Sequence, residues 1–269
     1  MRARAELVVL AGRPASGGTC LRWRSDPPVA LRPTGSERVH LVQAAGGPLG
    51  GDELALDIHL GPGASLLVRS AAAMVVQAGR PAGVAQWTVT ASLGTGALLD
   101  WRPEPTVVCD GAELHSSMRV ALGRGAGVVL REEVVLGRAG QRGGRFRGEL
   151  DVTREGTPLL VHTVLLDGSD PVLSGPAGTA GAGVVGMLAA LGDGLTGAVP
   201  SAGEQPGLRW ACSPLDGPGW LLLALGTQAA QLGRFLDRTL DALGWTHWAG
   251  RNVPSEAKRD GGAGSPPGR

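Results

Sequence analysis

The chain has 269 residues, 43% of them hydrophobic but only 3% aromatic, and its 25 Lys and Arg nearly balance 24 Asp and Glu, for a formal net charge of +1. That balance argues against a nucleic-acid binder, which carries a basic stripe to neutralise phosphates. Cys20, Cys109 and Cys212 are too few and too far apart for a disulfide framework or a Cys-x-x-Cys metal pair. Glycine is in excess at 45 residues with no collagen period, which predicts many turns between short strands and a core of Val, Leu and Ala.

At the N-terminus, Arg2 and Arg4 precede a short apolar stretch that Glu6 interrupts, so no targeting segment is expected. The longest later apolar run, Trp220 to Leu225, is too short to span a bilayer. A cytoplasmic location, away from membranes, is the expectation.

The clearest pattern is a repeat of the form L-G-x-G-A at Leu60–Ala64, Leu93–Ala97 and Leu122–Ala126. Copies about 30 residues apart fall in the range of stacked repeats. Before each, apolar residues alternate with polar ones: Leu54, Leu56 and Ile58; Trp87, Val89 and Ala91; Met118 and Val120. A two-residue period marks a half-buried strand. A second strand follows each turn, at 66–68, 98–101 and 128–130, and the glycines let the chain reverse cheaply. Three hairpin-like units in series predict an all-β, solenoid-like stack of strands.

Further strands are expected at 148–153 and 159–166, split by the turn at Glu155-Gly156-Thr157-Pro158. The stretch 175–194 is ambiguous, because its glycines weaken helix and strand alike. Near the end, Leu232, Phe235, Leu236, Leu240 and Leu243 recur at helical spacing, with Thr227 as N-cap and Gly244 closing the element. One or two helices are thus expected near the C-terminal end. Residues 1–250 read as one β-rich domain, and the polar, Gly/Pro-rich residues 251–269 as a disordered tail.

Catalytic patterns are missing. No two of His40, His59, His115, His162 and His247 stand at i, i+4, there is no Gly-x-Ser-x-Gly elbow, and the only lysine, Lys258, lies in the tail rather than in a phosphate loop. His59 and His115 fall on polar strand faces, and Cys109 beside Asp110 reads as a buried thiol or a soft-metal contact. Glu132 and Glu133 are adjacent on a strand, so at most one points inward. Either both belong to a cluster with Arg131 and Arg138, or one lines a polar passage or meets a hydrated metal. Asp52, after Gly50-Gly51, is a turn residue or serves likewise.

Three segments together resemble the UreD (UreH) family of urease accessory proteins. Val39 to Asp52 is similar to its H-L-x-x-x-x-G-G-x-x-x-G-D stretch, Trp101-Arg102-Pro103-Glu104-Pro105-Thr106 to its tryptophan strand, and Glu132 to Arg138 with the glycines to Gly148 to its E-x-x-x-L-G-R…G motif. They occur in family order. Two places depart from the pattern: Ala72-Ala73-Met74 stands where many members have Thr-Lys, and Glu104-Pro105 where many have Gln-Glu. The resemblance implies an elongated β-stack with a helical pair and a maturation factor without catalysis. It also implies partnership with UreF, with the GTPase UreG and with apo-urease, in a complex that can itself dimerise. Nickel would be in transit rather than a bound cofactor, and Asp52 and Glu132 match acidic positions along its passage. Oxygen ligands hold a moving divalent ion loosely, where a Cys/His cage would trap it. The residues leave open a β-solenoid hydrolase, which needs a second acid level with Glu132 (Asp100 is the nearest), and a carbohydrate-binding module, which needs an exposed aromatic row.

Overall fold

The computed structural model describes residues 1–11, 19–80, 82–193 and 201–242. The chain runs back and forth between two sheets that face each other. The first sheet holds five parallel strands in chain order, β1 (Arg2–Ala11), β5 (Glu53–Leu60), β8 (Ala85–Leu93), β11 (Glu113–Leu122) and β13 (Arg145–Arg154). Antiparallel β2 (Thr19–Arg24) and β14 (Thr157–Asp167) flank them. In the second sheet β4 (Arg38–Gln43), β6 (Ser65–Ser70), β9 (Leu98–Trp101) and β12 (Gly127–Leu136) are parallel. β3 (Val29–Gly35) flanks that row on one side. On the other lie β15 (Val184–Gly192), β18 (Gly219–Gly226), β17 (Leu208–Pro214) and β16 (Ala202–Gln205). Short β7 (Met74–Val76) and β10 (Thr106–Val108) attach beside β12.

The inward residues are those the two-residue period selects. Ala3, Ala5, Leu7 and Val9 of β1, Leu54 to Leu60 at alternate positions of β5, and Trp87 to Leu93 likewise on β8 are all buried. Glu6, which breaks the apolar run in the sequence, takes an outward position on β1.

The L-G-x-G-A turns do not close hairpins. β5 pairs with β1 and β8, never with β6, so each turn is an arch that carries the chain from one sheet to the other. The motif then has a physical reading. The second glycine takes a positive φ, 67° at Gly63, 66° at Gly96 and 69° at Gly125, as the third position of a type II turn requires. The first lies against the previous arch: a Cβ on Gly94 would sit 2.8 Å from the Pro62 nitrogen, and one on Gly123 would sit 2.9 Å from the Leu93 carbonyl oxygen. The alanines that end the motif, Ala64, Ala97 and Ala126, are buried. Successive arches also hydrogen-bond to each other, Gly63 N–H to Thr95 O at 2.8 Å and Gly96 N–H to Arg124 O at 2.9 Å. A true hairpin does form between β13 and β14, with positive φ at Glu155 and Gly156.

The stretch 175–194 resolves, within its described part, into turns followed by β15. One helix, α1 (Ala229–Ala242), is present among the described residues. Thr227 does not cap it by its side chain: its hydroxyl donates to the Gly207 carbonyl at 3.4 Å, while the Gln228 carbonyl accepts from Gln231 and Leu232 N–H. Leu232, Leu236 and Leu240 bury against the outer face of the second sheet, with Val129, Leu188 and Leu222. Leu243, Gly244 and the expected tail lie outside the described residues. No described helix is long and apolar enough to cross a membrane.

Under the edge of α1 runs a chain of charges on that same outer face. Asp100 receives Arg69 at 2.9 Å and Arg102 at 2.7 Å, and Asp237 of the helix meets Arg131 at 2.8 Å and Arg102 at 3.6 Å. Burial pulls the Asp100 carboxyl upward, but Arg102 and Arg69 outweigh it and hold it below the ordinary value.

Two consequences can be measured by urea unfolding. Gly96→Ala meets no neighbour and should cost about 1–2 kcal/mol, the penalty of a left-handed backbone at a non-glycine residue. Gly123→Ala meets no left-handed penalty but drives its Cβ against the Leu93, Gly94 and Thr95 backbone, and should cost more; the reverse ranking would contradict the arch reading. Asp100→Ala strands two largely buried guanidiniums and should cost about 3 kcal/mol; a loss below about 1 kcal/mol would show that water reaches them.

Candidate functional site

The second sheet is broken next to Glu132. β9 follows β12 only as far as Trp101 opposite Leu130, and the ladder resumes with Thr106 opposite Val134. In the next layer, β6 follows β9 up to Val68 opposite Trp101, and β7 resumes with Met74 opposite Thr106. Between them lie Pro103 and Pro105, which have no N–H to offer a ladder. The Glu104 N–H turns away to the Ser70 hydroxyl at 2.8 Å. Residues 131–133 are therefore paired on one side only, with Leu188, Met187 and Gly186 of β15. The family-like segment Trp101 to Thr106 is accordingly two strand ends and a gap, not one strand.

Behind the gap, between the sheets, lies a cavity of about 430 Å³. Its walls are mostly apolar, with Leu54, Trp87, Met118, Trp101, Leu130 and Met187 among them. Exposed Gly46, Ala71, Ala72 and Ala73 form part of its rim.

Alternation along β12 sorts its two acids. Val128, Leu130 and Val134 belong to the layer between the sheets and Val129 to the helix side, so Glu132 points between the sheets and Glu133 toward the helix, although both residues line the cavity. Only Glu133 joins an arginine cluster. It pairs with Arg131, which also holds Asp237, and its Oε2 has no hydrogen-bond partner among the described residues. Burial pushes the Glu133 pKa up, and the charges of Asp237 and Glu104 add to that against the pull of Arg131. Among the described residues Glu132 pairs with no arginine: the Ser116 hydroxyl donates to its Oε1 at 3.1 Å. Burial pushes the Glu132 pKa up to about 7, against the opposing effect of that hydrogen bond.

Asp52 sits elsewhere. It closes the turn at the other end of the stack, where its backbone N–H donates to Leu49 O at 3.0 Å and Gly51 takes a φ of 86°. Its carboxylate accepts the Leu49 N–H at 2.9 Å and the Met1 amine at 2.6 Å. Burial raises its pKa, but these two bonds outweigh it and leave it lowered. It does not line the cavity; Gly46 and Gly47 do, and a Cβ on Gly47 would lie 3.8 Å from its Oδ2. The structure thus brings Glu132 to the cavity and leaves Asp52 behind its wall. Asp100, the possible partner acid of a hydrolase, lies on the opposite face of the sheet and is held by two arginines.

His59 and His115 are exposed, His59 at 2.8 Å from the Ser92 hydroxyl, and Cys109 is buried. Among the described residues no three His, Cys, Asp or Glu side chains gather as a metal cage. Among the described residues Trp87, Trp101 and Trp220 are buried and Trp23 is exposed, so no exposed aromatic row forms there. Ser116 and the gap itself were not singled out in the sequence. The two prolines flanking Glu104 carried the signal for the gap; a serine on an apolar strand face carried the signal for Ser116.

Parallel layers joined by arches, with an acid-bearing cavity reached through a break in one sheet, define a β-solenoid-like protein built around an internal chamber. Comparison with known proteins adds the family: residues 4–259 match the model described as UreD urease accessory protein. The chain is 38% identical to "Urease accessory protein UreD" of Frankia alni, over 91% of this chain and 94% of the relative. It is also 38% identical to that of Streptomyces coelicolor, over 89% and 96%, and 39% to that of a Parafrankia strain, over 88% and 87%. The chain belongs to the UreD family of urease accessory proteins, and its role lies in urease maturation.

The raised pKa of Glu132 has a definite sign in stability. Between the ordinary value of 4.5 and about 7 the folded protein holds a proton that the unfolded chain has released. Stability therefore falls as pH rises through that window and levels off above it. Glu132→Gln keeps its neutral form, so it should gain about 1–3 kcal/mol on the wild type between about pH 4 and about pH 8. Parallel pH profiles for the two proteins would place the carboxyl in water instead.

Proposed function

We propose that the protein is a non-catalytic scaffold of urease maturation whose inter-sheet cavity passes nickel toward apo-urease. In this reading it works in the cytoplasm, binds the accessory protein UreF and through it the GTPase UreG, and docks on apo-urease. The observation that carries the reading is the combination of the gap in the second sheet with Glu132 just inside it. Glu132 is the lining carboxylate that faces between the sheets, and in a chamber of mostly apolar walls it attracts a hydrated divalent ion without stripping its water or caging it. Glu132 is the passage residue with the stronger support. Asp52 remains a candidate through the family pattern, but its carboxylate already serves the turn, so its loss is expected to act through stability.

The test is urease activation in cells lacking the endogenous gene, with nickel per urease measured beside activity. The gene deletion should leave urease protein present but nickel-poor. Glu132→Ala should slow activation several-fold while still co-purifying with UreF and urease. Asp52→Ala should lower thermal stability and reduce activation only in proportion to the protein lost. Normal nickel loading with Glu132→Ala would remove the cavity from the route, and failure to recover UreF with the wild-type chain would remove the scaffold.

A further inference from the structure

Glu132 is a carboxylate whose cationic partner is missing from the described residues. Among the described residues it makes no ion pair: Arg131, its sequence neighbour, is already engaged by Glu133 and Asp237, and Arg138, which also lines the cavity, is exposed to solvent. A carboxylate facing an apolar chamber is costly unless something compensates it. The strand registers show what surrounds it. Met187 stands directly opposite it on β15. Trp101 stands opposite Leu130, two residues along on the same face, a diagonal that an aromatic side chain can reach. Trp87 stands beside Ser116, whose hydroxyl touches Glu132. Both indoles are mostly buried, at 9% and 5% exposure, and both line the cavity from opposite sheets.

We propose that this chamber binds a weakly hydrated organic monocation of the quaternary-ammonium class, held between the indoles of Trp87 and Trp101 with its charge balanced by Glu132. Indole faces attract cations more strongly than other aromatic rings do, and desolvated sites strengthen the effect. The soft thioether of Met187 contributes contact area rather than a hard ligand. A methylated ammonium gives up little water on entering such walls, which cannot replace the hydration shell of a smaller, more strongly hydrated ion. The volume of about 430 Å³ lies within the range of pockets that hold small organic ligands, about 300–1,000 Å³. The small residues Gly46 and Ala71 to Ala73 form one side of the rim, while the exposed Glu104 and Arg138 also line the cavity. Such an occupant would compete with any metal ion for Glu132, so the site would also be a means of blocking the chamber.

The experiment compares choline with 3,3-dimethylbutan-1-ol, its uncharged carbon isostere, by calorimetry and tryptophan fluorescence on the full chain with its partner protein if needed for solubility. Choline should bind saturably and at least about tenfold more tightly than the isostere. Glu132→Gln and Trp101→Leu should each remove most of that preference, with circular dichroism confirming the fold. Should Trp101→Leu fail to fold, Glu132→Gln and the isostere comparison decide alone. Equal binding of choline and isostere, unchanged choline binding in Glu132→Gln, or no saturable choline binding would each overturn the proposal. Binding is read without urease, so its outcome stands apart from that of nickel passage. Choline that binds but leaves nickel loading untouched would uphold the site and count against a nickel route through it.

Discussion

The close approach of successive arches is the constraint on which the rest of the structure depends. Gly94 and Gly123 let each turn rest on the backbone of the one before, at distances no side chain would allow. That contact sets the spacing of the layers and holds strands in two sheets in one register. The register decides that Glu132 faces inward and Glu133 outward, and it aligns the interruption of β9 with that of β6. A cavity in a well-packed β-stack needs an opening in the ladder as well as small side chains. Two prolines in one layer and a run of alanines in the next supply it.

Much of the architecture could be read in the residues, because a two-residue period and a repeated glycine motif are local signals. Alternation placed Leu54 to Leu60 and Trp87 to Leu93 inward, and the opposite facing of Glu132 and Glu133 followed from the same rule. What local reasoning missed was pairing. A tight glycine turn between two strands looks alike whether the strands pair with each other or with the layers above and below, so arches were read as hairpins. The helix cap failed for a related reason: Thr227 has the right chemistry, but its hydroxyl is drawn to Gly207, which sits close only in the folded chain.

The candidate site was legible in part. Glu132 stood out as an acid in an apolar strand, and its environment bears out that oddity. Asp52 stood out through a family pattern whose glycines and acid also make a good turn, and the structure shows those residues making one. The gap could have been foreseen from Pro103 and Pro105, yet its depth and its neighbours Trp87 and Met187 come from strands distant in sequence. A charge network of similar composition, centred on Asp100, illustrates the contrast: there each carboxylate finds arginines and locks a helix in place, whereas Glu132 finds a hydroxyl and an open space.

The arches also bear on how such a chain can change length. Successive turns are 33 and then 29 residues apart, yet the strands they join remain in step. The surplus is taken up at the far end of each layer and at the gap, where the backbone is free of the ladder. One residue added inside a strand would turn its buried face outward, but residues added at those junctions disturb no register. The fold can therefore vary by loops at one end and by whole layers along its axis, while the glycine end stays fixed like the spine of a book.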